Sequence, residues 1–228
     1  MPVTLTEYPA EAASIPITTS VSRWTQSPET QLICWLAKQV PGDVLEIGCN
    51  NGLTTRELGL TKPNDRVFGM DYVGIGNTMV PEQRYEKPWH EFGKWCTDIP
   101  NVTLLNMDST QLNYAATCPG VRTVFIDGDH SYDQTASDID VWRPKVAPGG
   151  ILCGHDCEAR AEDHDKDFLW ENRNCDVVPA GGNFPVIHAG VVLAVGEKFG
   201  GQARLWSESI ATLADGSTGR SSIWDFTV

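Results

Sequence analysis

A chain of 228 residues, 41% hydrophobic and 21% charged, is long enough to bury one substantial core and predicts a single domain with one active site. No apolar run, Val191–Val195 included, approaches the roughly 20 residues of a membrane-spanning helix, and the start of the chain lacks the basic residues and apolar stretch of a secretory signal, so a cytoplasmic protein without membrane contacts is expected. Thirty acidic against seventeen basic residues give a formal charge of −13 and no basic patch, which argues against a nucleic-acid partner and favours a neutral or cationic small molecule.

Residues 1–26 are rich in Thr, Ser and Pro without periodicity and predict an N-terminal arm or lid outside the core. Ser27 then reads as a helix N-cap with Pro28 at the first position, followed by Leu32, Ile33, Leu36 and Ala37 at helical spacing and a stop at Pro41-Gly42. Asp43–Gly48 is a short apolar strand closing on glycine, and a helix begins at Leu53. A turn at Pro63-Asn64-Asp65 leads into the second strand, Arg66–Met70, which ends at Asp71. The third, Val102–Leu105, runs toward Asp108, and the fourth, Val121–Ile126, ends at Asp127. Ser137–Val146 places Ile139, Trp142 and Val146 on one helical face, and Gly150–Cys153 is a fifth strand. Beyond Cys157 the polar stretch 158–176 reads as an inserted helix or loop within an insertion region 158–189. Gly190–Val195 predicts a late strand and Ser221–Val228 a terminal edge strand. Strands alternating with helices, with strands apolar enough for burial on both faces, predict an α/β, Rossmann-like, doubly wound, mostly parallel sheet with helices on both faces.

In such a sheet, ligands bind beyond the carboxyl ends of the strands, where the strand order reverses. Glu46, Gly48 and Gly52 fall at the end of the first strand and in its turn, and Asp71 closes the second. Glycines let a backbone approach a ligand, and a carboxylate after the second strand accepts hydrogen bonds from ribose hydroxyls. An ordinary strand-to-helix turn explains a lone glycine pair equally well. Glu46 ahead of Gly48, with Asp71 in place, favours cofactor binding, and the E-x-G-x-x-x-G spacing departs from the G-x-G-x-x-G of dinucleotide sites.

Val44–Gly52 resembles the first motif of the class I S-adenosylmethionine-dependent methyltransferases, with Asn50 where many members carry a glycine. The resemblance implies S-adenosylmethionine as cofactor, ribose on Asp71, adenine near Asp108 and Ser109, and the methionine part against Gly48. The block Phe125–Asp133, with Trp142-Arg143-Pro144, Pro148-Gly149-Gly150 and Gly154-His155-Asp156, resembles a narrower group. That group holds small-molecule O-methyltransferases related to macrolide-sugar methyltransferases and proteins named cephalosporin hydroxylases, many of which use a divalent metal.

Independently of the family, the ends of adjacent parallel strands lie about 4.8 Å apart, so Asp127, His155 and Asp156 become neighbours. Clustered carboxylates repel unless a proton or cation intervenes, and oxygen ligands suit magnesium or manganese, while His155 admits a softer metal. In this reading a cation at Asp127, His155 and Asp156 positions an acceptor hydroxyl and His130 takes its proton. The alternative is that Asp127 and Asp129 only cap the turn and His130 bonds the backbone. Trp89 and Trp95, with Tyr72 nearby, are expected to pack onto the core rather than line a pocket. The seven cysteines, Cys153 and Cys157 among them, lack zinc-like spacing and read as reduced structural thiols. Rival functions are a nicotinamide-dependent oxidoreductase, a noncatalytic cofactor-binding module, and an iron-dependent hydroxylase; a homo-oligomer is compatible with the sequence.

Overall fold

The computed structural model describes residues 6–18, 27–72, 92–111, 120–180, 186–207, 211–212, 218–219 and 223–228. In chain order the first elements are β1 (Thr6–Glu7), α1 (Ala10–Ala13), α2 (Ser27–Gln39), β2 (Val44–Ile47), α3 (Leu53–Thr61), β3 (Val67–Asp71), β4 (Val102–Asn106) and β5 (Thr123–Ile126). Next come α4 (Tyr132–Trp142), β6 (Ile151–Gly154), α5 (Lys166–Glu171), β7 (Val178–Pro179), β8 (Val186–Ile187), α6 (Ala189–Phe199) and β9 (Arg204–Ser207). The chain finishes with β10 (Ala211–Thr212), β11 (Thr218–Gly219) and β12 (Trp224–Thr227).

Eight strands form one sheet in the order β1-β9-β12-β6-β5-β2-β3-β4, and β12 alone runs antiparallel to its neighbours. The chain winds outward from β2 through β3 to β4, then returns to β5 on the other side of β2 and continues to β6. The reversal point of this doubly wound sheet therefore lies between β2 and β5. Strands β2, β5 and β6 are buried along their whole length, as near-continuous apolar runs require, whereas β4 at the edge is half-buried.

Strand alternation sorts the core into two layers. Leu45, Ile47, Val124, Ile126 and Leu152 face the layer holding Ile139 and Trp142 of α4 and Val191, Val192 and Val195 of α6. Val44, Val67, Phe125, Ile151 and Cys153 face Leu32, Ile33 and Leu36 of α2. By the same period, Glu46, Asp127 and His155 continue the α2 side at the strand ends.

Three expectations about elements are corrected. Residues 190–195 belong to a helix rather than a strand: α6 spans Ala189–Phe199 and buries Gly190, Val191, Val192, Ala194 and Val195. A helix covered on most sides is apolar nearly all round, and over a few residues its β-branched run cannot be told from a buried strand. The late strand is β9, whose Leu205 and Trp206 are buried between polar flanks. The terminal strand β12 is interior, not an edge: it sits between β6 and β9 and buries Trp224. At the N-terminus, β1 extends the sheet beside β9 and Ala12 and Ile15 enter the core against α2, so residues 6–18 are not a detached arm; residues 19–26 lie outside the described residues. No helix among the described residues is long and apolar enough to cross a membrane.

Candidate active site

The turn after β2 runs through left-handed backbone, which favours glycine. Gly48 (φ +86°) and Gly52 (φ +85°) are left-handed, and Asn50 between them joins that region at φ +49°. Asn is the residue type that adopts this conformation most readily after glycine, which explains how the turn is kept without a middle glycine. A Cβ on Gly48 would lie 2.0 Å from the carbonyl oxygen of Asp127, so this turn and the turn after β5 touch through their backbones. Gly48 and Cys49 donate backbone hydrogen bonds to the Met70 carbonyl at 2.8 and 3.0 Å, tying the turn to β3. Residues 93–95 close over it, with Gly93 N donating to Asn50 O and Trp95 N to Asn51 O, each at 3.0 Å.

The predicted cofactor residues share one rim. Asn50 N donates to the Asp71 carboxylate at 2.8 Å, so Asp71 holds the glycine turn as well as facing the rim. One strand further out, Asp108 accepts from the backbone N and hydroxyl of Thr110, which folds it over its own turn. Ser109 donates to Asp138 of α4 at 2.5 Å, and its carbonyl accepts from the Trp142 indole at 2.9 Å. Burial pushes the Asp138 carboxyl up to about 7, with the Ser109 and Gln134 hydrogen bonds working the other way. Tyr72 and Trp95, expected to pack onto the core, are instead about half exposed near this rim, 45% and 47% respectively; Trp89 lies outside the described residues.

Glu46 is buried and accepts a hydrogen bond from the Thr55 hydroxyl of α3. Burial pushes its carboxyl up to about 8, the Thr55 bond lowering it and the charges of Asp127 and Asp71 raising it further. A carboxyl raised in the folded state favours folding while protonated. Its contribution is complete below the ordinary value of 4.5 and is lost as pH rises toward about 8. Melting curves of the cofactor-free protein are therefore expected to fall across this window, and Glu46→Gln to flatten the fall; an unchanged slope in the variant contradicts the assignment.

The turns after β5 and β6 meet as expected, in a larger cluster than the sequence suggested. His155 Nδ1 lies 3.0 Å from Asp156 Oδ1 and 3.4 Å from Asp127 Oδ1. On its other side, Nε2 lies 3.1 Å from Glu29 at the start of α2 without the alignment of a hydrogen bond, and it is buried. Burial works against the charge on His155, but Asp156, Glu29 and Asp127 together hold its pKa well above the usual imidazole value. His130 bridges two carboxylates, with Nε2 3.0 Å from Asp156 and Nδ1 2.5 Å from Asp176. Burial opposes its charge too, yet those two bonds prevail and push it up to about 10. Asp129 accepts from Ser131 N at 2.7 Å and serves the turn locally.

Asp156 is the hub. It is buried, left-handed at φ +62°, and faced by three imidazoles, the third being His188 at 3.5 Å. Burial would raise its carboxyl, but the charge of His155 and the hydrogen bonds from His130 and His155 keep it ionised, well below the usual range. His188 Nδ1 also lies 2.6 Å from Glu158. Glu29, Glu158, Asp176 and His188 were not picked out in the sequence. Glu158 alone carried a local signal, two residues beyond Asp156; the others arrive from α2, the insertion and the N-cap of α6 through tertiary packing.

Residues 45–157 match a family described as a methyltransferase domain. No curated protein sequence matches the chain significantly. Among solved structures, the chain is similar to an O-methyltransferase described as putative from Klebsiella pneumoniae, 15% identical over 95% of this chain and 84% of that one, with a TM-score of 0.57. It is similar to the O-methyltransferase TomG of Streptomyces achromogenes, solved with S-adenosylmethionine, at 14% identity over 89% and 80% of the chains and a TM-score of 0.54. It is also similar to the precorrin-6y C5,15-methyltransferase of Geobacter metallireducens, at 13% identity over 91% of each chain and a TM-score of 0.53. At such identity these likenesses establish the fold. Residues 45–157 thus resemble a methyltransferase domain, and the chain as a whole shares the fold of these solved methyltransferases.

Proposed function

We propose that the protein transfers the methyl group of S-adenosylmethionine to a hydroxyl oxygen of a small molecule. One observation carries this reading: the Gly48 turn and the Asp127–Gly128 turn are in backbone contact, so a methyl donor over the first faces the histidine-carboxylate cluster beside the second. Asp71 takes the ribose hydroxyls, and Asp108 and Ser109 border the adenine. Two of the similar folds belong to proteins described as O-methyltransferases, in keeping with a hydroxyl acceptor; the precorrin enzyme marks the other chemistry the fold hosts.

Asp127, His155 and Asp156 fit a divalent cation: their donor atoms lie within 4.8 Å of one another, and the far nitrogen of the buried His155 lies 3.1 Å from the Glu29 carboxylate. Magnesium or manganese suits the carboxylates, and such an ion supplies a lowered hydroxyl pKa and a fixed oxygen. Methyl transfer needs the nucleophile, methyl carbon and sulfur in line, so these residues act chiefly by positioning. In the cluster as it stands, His130 holds its proton between Asp156 and Asp176 and is not a base. Were Asp156 to hold a cation, Asp176 would remain to orient His130 through Nδ1, and Nε2 would be available to accept the hydroxyl proton.

The test is a product assay with S-adenosylmethionine and a panel of hydroxylated sugars and phenols. Expected are S-adenosylhomocysteine and a methyl ether, with the rate lost on chelation and restored by magnesium or manganese. Methylation at carbon or nitrogen, or a rate indifferent to chelator, contradicts the reading.

A further inference from the structure

The insertion brings a second set of ligating side chains to the hub carboxylate. Glu158 Oε2 accepts from the backbone N of His188 at 3.1 Å, which fixes the carboxylate so that Oε1 meets His188 Nδ1 at 2.6 Å. The same Nδ1 lies 3.5 Å from Asp156 Oδ1. The position of His188 is enforced by packing: a Cβ on Gly190 would lie 2.4 Å from the carbonyl oxygens of both Arg173 and His130, so the start of α6 is pressed against the His130 turn.

Donor atoms of Asp156, Glu158 and His188 lie within 4.8 Å of one another. Ligands at about 2.0–2.2 Å from one ion are separated by roughly 3–4.4 Å, so small side-chain movements complete a shell. Charge points the same way. Asp127, Asp156, Glu158 and Asp176 crowd around His130, His155 and His188, with Glu29 behind, and carboxylates outnumber imidazoles even when every imidazole is protonated. A single cation at Asp127, His155 and Asp156 leaves Glu158 and His188 without a part in the site.

We propose that Asp156, Glu158 and His188 form a second divalent-cation site beside the first, with Asp156 as the shared, bridging carboxylate. One imidazole with two carboxylates suits borderline ions such as manganese, cobalt or zinc. Two ions sharing a carboxylate sit about 3.5–4 Å apart, close enough to grip neighbouring oxygens of one acceptor, such as a diol or a hydroxyl beside a carboxylate. The site stands on its own residues and does not depend on which acceptor is methylated.

Manganese provides the probe. The whole chain is stripped with chelator and titrated with Mn2+, free ion being counted by electron paramagnetic resonance. Two ions per chain are expected in the parent, with an exchange-coupled spectrum at saturation. Glu158→Gln and His188→Asn should each bind one ion and lose the coupling, with circular dichroism confirming that they are folded. No ion in the parent, or a parent count that either folded variant keeps, overturns the second site. Asp127→Asn reports separately on the first: if it retains the parent count, the first site fails and the second stands.

Discussion

Gly48→Ala is expected to abolish detectable binding of S-adenosylhomocysteine, weakening it about 100-fold or more. The added methyl carbon would lie 2.0 Å from the Asp127 carbonyl oxygen and 2.7 Å from Gly128 Cα, and both obstacles are backbone. The φ of +86° adds a penalty of roughly 1–2 kcal/mol for any L side chain. Relief requires the β2 and β5 turns to separate, which deforms the surface on which the methyl donor is proposed to lie. A hundredfold loss of affinity corresponds to about 2.8 kcal/mol felt at the pocket, in addition to what the fold loses. Calorimetry and thermal melting measure the two parts, and a variant with parental affinity shows that the nucleoside lies elsewhere.

Asp156→Asn is expected to lower the methyl-transfer rate about a thousandfold while leaving S-adenosylhomocysteine affinity within about threefold of the parent. Asparagine tolerates the left-handed backbone, with φ +62° at this position, so the substitution tests the charge and not the turn. The carboxylate is the common neighbour of His130, His155 and His188, and replacing it with an amide removes the one anion that all three share. In the proposed arrangement the cofactor meets Asp71 and the glycine turn that Asp71 holds, so binding and turnover should separate. Equal losses in both, or an unchanged rate, contradict the assignment of Asp156 to the reaction.

The parts of the fold that were legible in the sequence are those where period and punctuation agree. The first strand with its glycines, the strand ending at Asp71, the run ending at Asp127 and the helix carrying Ile139 and Trp142 fall close to β2, β3, β5 and α4. The misread segments are those where tertiary burial overrides pattern. In α6 the apolar run is buried on nearly every side, and in β12 an antiparallel strand is inserted inside the sheet, which no local residue announces. The site divides the same way. Asp127, His155 and Asp156 were found because adjacent strand ends must meet. Glu29 and His188 were not, because α2 and α6 bring them across the sheet from far along the chain, and Asp176 because it sits in an insertion with no period of its own.

The most direct measurement is a crystal structure of the protein grown with S-adenosylhomocysteine. Ribose hydroxyls within hydrogen-bond reach of Asp71, the homocysteine sulfur over the Gly48 turn and pointed at the Asp127 side, and adenine beside Asp108 and Ser109 are the expected result. A nucleoside bound away from the carboxyl ends of β2 and β3, or a sulfur turned from the histidine cluster, contradicts it.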